Sequence, residues 1–319
     1  MRLVTIDAGP AGRAGAIVGG DVLDISRAGA AVPIANWVPS QVKDILVGGE
    51  EGLRIVERIV KTVEDAKDGT RAQLREIGAL TALKDTKLLA PIPEPGLIFS
   101  CGMNYGEHLK EMGSGRPPHP TGFFKTSRAV VGPGAPIVIP PQCPDMVDFE
   151  GEFSFVVGRP CHNIDTRDAM DYIAGYTIVN DVSARDWVPE WRAQEGVLAK
   201  QVSWERNILG KQLPTFSPLG PAIVTKDEVD DPHNLKLQTR LNGTVMQDTN
   251  TDDLVFKVPE LLAYFSKWHK FLPGDVFTTG SPSGVGFARK PPVFMKPGDT
   301  VAITVEHVGT LENPIVAAN

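Results

Sequence analysis

Three acidic residues alternate along one short segment of the chain. Asp148, Glu150 and Glu152 stand in the run DFEGEFSFVVG. Because successive side chains of a β-strand point to opposite faces, the three carboxylates would share one face. Hard divalent cations such as Mg²⁺, Mn²⁺ or Ca²⁺ are the natural partners of oxygen-only ligands. The alternative is a solvated acidic surface, but the apolar pair Val156-Val157 predicts that the strand continues into a core.

A second segment places polar groups at the end of an apolar run. Tyr176–Val179 is followed by Asn180 and Asp181, and Arg185 comes four residues later. An acid at a strand end can complete a carboxylate site, and an arginine can hold a substrate carboxylate bidentately. Alternatively, Asn180 or Asp181 caps a helix and Arg185 pairs with Glu190. The residues of this segment alone leave both interpretations open.

Two further positions could take part in proton transfer or in charge stabilisation. His108 and Glu111 lie three residues apart in a predicted helix, Asn104–Glu111, and so share a face. Such a pair can orient an imidazole as a general base, although a surface ion pair is an equal alternative. Lys211 stands in a glycine-containing turn, where a lysine can stabilise an oxyanion or can simply face solvent.

A glycine- and serine-rich loop follows a predicted strand near the C-terminus. In TTGSPSGVG, Thr279, Gly280 and Ser281 could offer hydroxyl and N–H groups to a substrate carboxylate, and a plain turn is the alternative. The loop lacks the G-x-G-x-x-G spacing of dinucleotide-binding loops. Neither Ser281 nor Ser283 has a glycine two residues before it, as a G-x-S-x-G nucleophile elbow requires.

The elements that would position these residues are mostly short strands. With 32 glycines and 27 prolines, the chain has many turn signals between apolar runs, which favours an α+β, mainly β, protein. Strands are predicted at 149–157 and 176–180, a helix at 167–174, and a hairpin over 235–248 with its turn at Asn242-Gly243. A proline-rich connector predicts a small α/β unit at residues 1–85 and a larger domain at 97–319.

Charge and composition exclude several classes of function. The formal net charge of −7, with no basic block, argues against nucleic-acid binding. No apolar run approaches the length of a membrane span, and the N-terminal residues do not resemble a secretory signal. The three cysteines are odd in number and widely spaced, so a reducing, cytoplasmic location is expected.

Several segments taken together resemble the fumarylacetoacetate hydrolase superfamily. They run in the family's order between Gly96 and Gly309, which makes the resemblance more specific than any one motif. The matching segments are GMNYGEHLKEM, FFKTSRAVVGPGAPIVIP, VDFEGEFSFVVG, AGYTIVNDVSARD, FSPLGPAIV, LNGTVMQDTNTDDLVF and LPGDVFTTGSPSGVG.

The resemblance implies a mixed β-roll catalytic domain, an N-terminal accessory domain and a homodimer. It implies Mg²⁺ or Mn²⁺, with Ca²⁺ as a further candidate, bound by Glu150, Glu152 and Asp181. The substrate would be a small oxo acid, and no nucleic acid or membrane partner is expected.

Other site residues are matched one by one to positions of the family pattern. The His108–Glu111 pair matches the dyad that activates water in members with a mobile lid. Lys211 matches the lysine that polarises the substrate oxo group or holds the oxyanion. Arg185 and the loop Thr279–Ser281 match substrate-contacting positions.

The expected activity is divalent-metal-dependent hydrolysis of a C–C bond in an acylpyruvate-like 2,4-dioxo acid, for example in aromatic-compound catabolism. An oxaloacetate-type decarboxylase, isomerase or lyase using the same metal–enolate site is the first alternative, and a catalytically silent binding protein is the second. The sequence departs from the family pattern where Val188 occupies a usual glutamine position. The stretch from Trp187 to Lys211 is also longer than expected and carries Trp191 and Trp204.

Overall fold

One large sheet runs through the protein. The computed structural model describes residues 1–9, 11–31, 37–189, 193 and 195–318. The strands are β1 (Arg2–Ile6), β2 (Arg13–Val18), β3 (Asp21–Asp24), β4 (Leu80–Ala82), β5 (Leu88–Leu89), β6 (Ile98–Gly102), β7 (Thr121–Lys125), β8 (Val130–Val131), β9 (Ile137–Ile139), β10 (Val147–Asp148), β11 (Gly151–Val157), β12 (Ile173–Asn180), β13 (Ser183–Ala184), β14 (Ser217–Thr225), β15 (Lys236–Leu241), β16 (Thr244–Asn250), β17 (Val276–Thr278), β18 (Thr300–Val305) and β19 (Gly309–Ala317).

Helices cover the sheets and fill the connections. They are α1 (Ile25–Ala31), α2 (Val42–Val47), α3 (Gly49–Glu64), α4 (Asp68–Glu76), α5 (Gly106–Glu111), α6 (Val197–Leu209) and α7 (Val258–Ser266). The protein is thus α+β and rich in strands, as the sequence predicts. Among the described residues, no helix combines the length and the apolar character needed to cross a membrane.

The large sheet joins the first residues of the chain to the rest. Its strands follow the order β4-β3-β2-β1-β14-β12-β11-β17-β6-β7, with β5 beside β1 and β8 beside β14. The helix α3 buries Ile55, Val56 and Ile59 on one face against this sheet, as its apolar spacing requires. The same core cluster contains Val156 and Val179, so the core continues from residues 1–85 into the strands that carry the acids.

A smaller sheet of order β16-β15-β18-β19-β9 packs against the central strands. The predicted hairpin is confirmed as β15 and β16, and its two turn residues, Asn242 and Gly243, have φ angles of 51° and 79°. Both values are positive, as a two-residue turn between twisted strands requires. The hairpin carries Gln247, whose side chain reaches the site described below.

The strand predicted at 149–157 begins two residues later than predicted, at Gly151. The strand β10 ends at Asp148 and belongs to a separate pair with β13, whereas β11 begins only at Gly151. Asp148 therefore does not share one continuous strand face with Glu150 and Glu152. Its carboxylate accepts hydrogen bonds from the N–H groups of Gly286 and Phe287 instead, at 2.7 and 3.1 Å.

The helix predicted at 167–174 is also wrong in part. Residues Thr166–Tyr172 form 3₁₀ turns, and Ile173 and Ala174 already belong to β12. Both are buried in the sheet between β11 and β14. Tertiary burial of these apolar residues therefore overrides the local helical pattern.

Candidate active site

The three predicted metal ligands come together because two antiparallel strands are in register. Strands β11 and β12 pair with Gly151 opposite Asn180, so Glu150 and Glu152 flank the start of one strand and Asp181 follows the end of the other. The side-chain amide oxygen of Asn180 accepts a hydrogen bond from the Glu150 N–H at 3.0 Å and fixes this junction. Ligand oxygens of the three carboxylates lie within 4.8 Å of one another, and all three residues are buried.

Three buried cations surround these acids. The Lys211 Nζ lies 2.7 Å from Glu150 Oε2 and 2.7 Å from Asp181 Oδ2. The Lys125 ammonium pairs with the other Asp181 oxygen and donates to the Phe216 carbonyl at 2.9 Å. The Arg185 guanidinium pairs with Glu150 and, through Nε at 3.2 Å, with Asp148.

Glu152 is the carboxylate that these cations do not pair with. Within the described residues, Asp148, Glu150 and Asp181 each form an ion pair, whereas the Glu152 carboxylate accepts the Gly280 N–H at 3.1 Å. Burial raises the pKa of Glu152 well above its ordinary value, and the negative charges of Asp181 and Glu150 raise it further. Among the described residues, the site thus holds four buried carboxylates and three buried cations.

The two lysines keep Asp181 ionised. Burial alone would raise the pKa of Asp181, but Lys125 and Lys211 outweigh it and hold that pKa below its ordinary value. Burial would lower the pKa of Lys211, but Asp181 and Glu150 raise it overall. Lys211 is thus a buried, charged hydrogen-bond donor. The alternative prediction, that Lys211 faces solvent, is wrong.

A cavity of about 420 Å³ opens beside the acids. The residues that line it include Glu150, Glu152, Asp181, Lys211 and His108. Its volume lies in the range of roughly 300–1,000 Å³ that is typical of small-molecule sites. The three predicted metal ligands therefore line the same cavity as Lys211 and His108.

The predicted dyad is formed on the helix α5. The His108 Nδ1 lies 2.9 Å from Glu111 Oε2, and the other oxygen of Glu111 accepts the Gly284 N–H at 3.0 Å. The His108 side chain is 13% exposed and Glu111 is 23% exposed, so the pair is not an open surface ion pair. Glu111 connects the helix to the glycine-rich loop and orients the imidazole at the cavity wall.

The loop Thr279–Ser281 has a divided role. Ser281 lines the cavity, and its hydroxyl accepts a hydrogen bond from Gln247 Nε2 at 3.0 Å. Gly280 donates to Glu152, as described above. The Thr279 hydroxyl instead donates to the Phe153 carbonyl at 2.8 Å, and Thr279 is fully buried. This geometry gives Thr279 a part in holding the loop to β11.

Some functional neighbours were not singled out from the sequence. Lys125 belongs to the motif FFKTSRAVVGPGAPIVIP, and a lysine beside two phenylalanines in a strand was the available signal for it. No helix was predicted at Val197–Leu209, where α6 covers the cavity. The suggested partner Glu190 and the aromatic Trp191 lie outside the described residues, whereas Val188 and Trp204 do line the cavity.

The donor set fits a hard divalent cation. Glu150, Glu152 and Asp181 offer carboxylate oxygens alone, and Glu152 lacks a cationic partner among the described residues. Oxygen ligands of this kind suit Mg²⁺, Mn²⁺ or Ca²⁺ better than soft metals. A buried carboxylate without a counter-charge is costly, and a bound cation would remove that cost.

Comparison with known proteins identifies the family. Residues 97–316 match the family model described as fumarylacetoacetate (FAA) hydrolase C-terminal. This match covers more than half of the chain, so the protein belongs to the fumarylacetoacetate hydrolase family, as its sequence motifs predict.

Individual relatives and solved structures carry more specific names. A protein of Xenopus laevis called oxaloacetate tautomerase fahd2, mitochondrial, is 39% identical over 298 residues, covering 93% of this chain and 83% of its own length. The maleylpyruvate hydrolase of Sphingobium sp. SYK-6, solved with manganese(II) and pyruvate, has a TM-score of 0.73 and 28% identity. The 5-carboxymethyl-2-hydroxymuconate delta-isomerase of Mycobacterium smegmatis has a TM-score of 0.69 and 33% identity. Each of these two matches covers 100% of this chain and 100% of the other chain.

The unexpected role of Lys125 can be tested through stability. We expect Lys125→Met to lower the free energy of unfolding by about 3–5 kcal/mol, because it leaves a buried acid short of a counter-charge. The matched control is Lys87→Met, since Lys87 pairs with Asp7 at 2.7 Å but is 82% exposed. An exposed pair contributes at most about 1 kcal/mol. Urea unfolding in chelator-treated buffer measures both variants, and equal small losses would contradict the role given to Lys125.

Proposed function

We propose that this chain is a divalent-metal-dependent enzyme that interconverts the keto and enol forms of an oxaloacetate-type 2-oxo acid. The sequence predicts C–C bond hydrolysis first and an isomerase of this kind as its first alternative. The observation that carries the proposal is the buried Glu152 carboxylate, which lines the same cavity as Lys211 and has no cationic partner among the described residues. The relatives named oxaloacetate tautomerase support this choice of reaction.

Glu150, Glu152 and Asp181 would hold the cation. A bound Mg²⁺ or Mn²⁺ would act as a Lewis acid toward a 2-oxo acid and would stabilise the negative charge of its enolate. The manganese and pyruvate named for the maleylpyruvate hydrolase support both the kind of metal and the kind of ligand.

The chain's own residues would then move the proton. When the Nδ1–H group of His108 donates a hydrogen bond to Glu111, Nε2 remains as an acceptor and can take a proton from the carbon next to the 2-oxo group. The charged Lys211 ammonium can donate a hydrogen bond to the oxygen on which negative charge grows. Returning the proton to that oxygen, instead of to carbon, completes the conversion of keto form to enol.

Hydrolysis of an acylpyruvate is the second candidate, and the His108–Glu111 dyad favours it. The same base could take a proton from water, whose oxygen would add to the distal carbonyl. The C–C bond would then break, and the electron pair would leave as a pyruvate-type enolate. Both reactions share this enolate, so the substrate and the placement of water decide between them.

A substrate panel separates the two candidates. Oxaloacetate and an acylpyruvate are each supplied with Mg²⁺ or Mn²⁺, with the enol absorbance and pyruvate release recorded separately. We expect conversion of oxaloacetate between its enol and keto forms, and loss of this activity in chelator once the protein is shown to be stripped of metal. Full activity of the stripped protein would overturn the metal assignment. Pyruvate release from the acylpyruvate with no effect on oxaloacetate would favour the hydrolase.

The role of His108 predicts a separation of catalysis from metal binding. We expect His108→Asn to lower kcat on oxaloacetate by roughly 10²–10⁴, the usual contribution of a general base. Its affinity for Mn²⁺ should stay within a few-fold of the starting protein. Lys110→Gln is the matched control, since Lys110 lies on the same helix and is 75% exposed. Loss of Mn²⁺ affinity in His108→Asn would instead place the imidazole among the metal ligands.

A further inference from the structure

Gln247 links the start of the strand β11 to the glycine-rich loop. Its side chain is 1% exposed, and its Oε1 accepts the Gly151 N–H at 3.0 Å. Its Nε2 donates to the Ser281 hydroxyl and to the Pro282 carbonyl, both at 3.0 Å. Because a backbone N–H lies on one side and a carbonyl on the other, only one orientation of the amide satisfies both, and the direction of all three hydrogen bonds is fixed.

One end of this link lies between two of the predicted metal ligands. Gly151 separates Glu150 from Glu152 in the chain, and a methyl group on Gly151 would lie 2.2 Å from Thr239 Oγ1 on the strand β15. Only glycine therefore lets the hairpin of β15 and β16 approach this peptide so closely. Through this contact, Gln247 holds the backbone from which both glutamates project.

The other end lies in a loop that serves both halves of the site. The Gly280 N–H of this loop donates to Glu152 at 3.1 Å, and the Gly284 N–H donates to Glu111 at 3.0 Å. Glu152 is a predicted metal ligand, whereas Glu111 belongs to the dyad. One short stretch of backbone thus orients a carboxylate of the cation site and a carboxylate of the dyad.

The two ends of the loop are held by different neighbours. At its start, the Thr279 carbonyl accepts a hydrogen bond from Asn104 Nδ2 at 2.9 Å. At its end, Gly284 packs on the strand β16, where a methyl group on Gly284 would lie 2.2 Å from the carbonyl oxygen of Met246. Met246 immediately precedes Gln247, so the same strand holds the second half of the loop by backbone contact and by the Gln247 amide.

We propose that Gln247 is a positioning residue that couples the cation site to the proton-transfer dyad. Through Gly151 it sets the placement of Glu152, and through Pro282 it sets the loop N–H group that orients Glu111. This inference rests on the proposed function of the acidic site, because the coupling matters where the cation and the dyad act on one substrate.

Mn²⁺ affinity tests the link to the cation site. Gln247→Met keeps the length of the side chain and removes all three of its hydrogen bonds. Titration of chelator-treated protein with Mn²⁺ should show an affinity about tenfold lower, since side chains that hold metal ligands in place contribute about 10–100-fold to affinity or activity. The matched control is Gln238→Met on the strand β15, whose amide bonds Asp248 and Arg240 within the hairpin. This control should leave the Mn²⁺ affinity unchanged.

A double-mutant cycle tests the link to the dyad. We expect Gln247→Met to lower kcat on oxaloacetate by about tenfold or more in enzyme saturated with Mn²⁺. In a Glu111→Ala background, the same substitution should lower kcat by less than about threefold, because the carboxylate that the loop orients is already gone. A general weakening of the fold would lower kcat by the same factor in both backgrounds, and that result would overturn the coupling.

Amide hydrogen exchange, followed by NMR in protein labelled at the glycine nitrogens, reads the loop directly and needs no activity. In Gln247→Met, the Gly284 N–H should exchange about tenfold faster than in the starting protein, with a smaller change at Gly280 beside the Asn104 contact. Gln247→Glu keeps the acceptor for Gly151 and places an oxygen against the Pro282 carbonyl. It should give the same pattern of exchange, and it takes the place of Gln247→Met if that variant does not fold.

The outcomes separate this inference from the proposed function. If the starting protein binds Mn²⁺ but does not convert oxaloacetate, the proposed function fails, and the titration and exchange measurements still decide the role of Gln247. If oxaloacetate is converted but Gln247→Met changes neither the Mn²⁺ affinity nor the exchange of Gly284, the inference alone is overturned. Weaker Mn²⁺ binding together with a non-additive loss of kcat supports it.

Discussion

Four carboxylates are buried where two antiparallel strands end, and the local structure is arranged around their charge. Asp148, Glu150, Glu152 and Asp181 are each at most 8% exposed. Moving several negative charges out of water costs several kcal/mol for each ion unless cations and hydrogen bonds compensate. Lys125, Lys211 and Arg185 supply that compensation for three of the acids.

The negative charge of Glu152, which no cation of the described residues pairs with, is the feature on which the proposed function depends. With Glu152 ionised, the four carboxylates and three cations of the described site sum to one net negative charge. A bound divalent cation would make the net charge of the site positive. With the cation bound, such a site would attract the carboxylate of a 2-oxo acid and would stabilise an enolate more strongly than water can. His108 lines the same cavity, so in the proposed reaction proton transfer and charge stabilisation would act on one bound molecule.

The sequence predicted the acids better than their surroundings. Alternation pointed to Asp148, Glu150 and Glu152, and the family resemblance selected Glu150, Glu152 and Asp181, whose oxygens the structure brings within 4.8 Å of one another. Lys125 approaches Asp181 across 56 positions of the chain, and this contact depends on which strands are neighbours in the sheet. Likewise, the break between Asp148 and Gly151 and the packing of the helix α6 over the cavity follow from tertiary contacts that no local pattern encodes.

The central claim is that Glu152 completes a site for a divalent cation, and calorimetric titration with Mn²⁺ tests it most directly. Chelator-treated protein should bind one Mn²⁺ per chain, and Glu152→Gln, which keeps the shape of the side chain, should lose at least tenfold in affinity. Glu111→Gln serves as the control, because that carboxylate bonds the imidazole and the loop. Equal Mn²⁺ affinity in the starting protein and in Glu152→Gln would contradict the account.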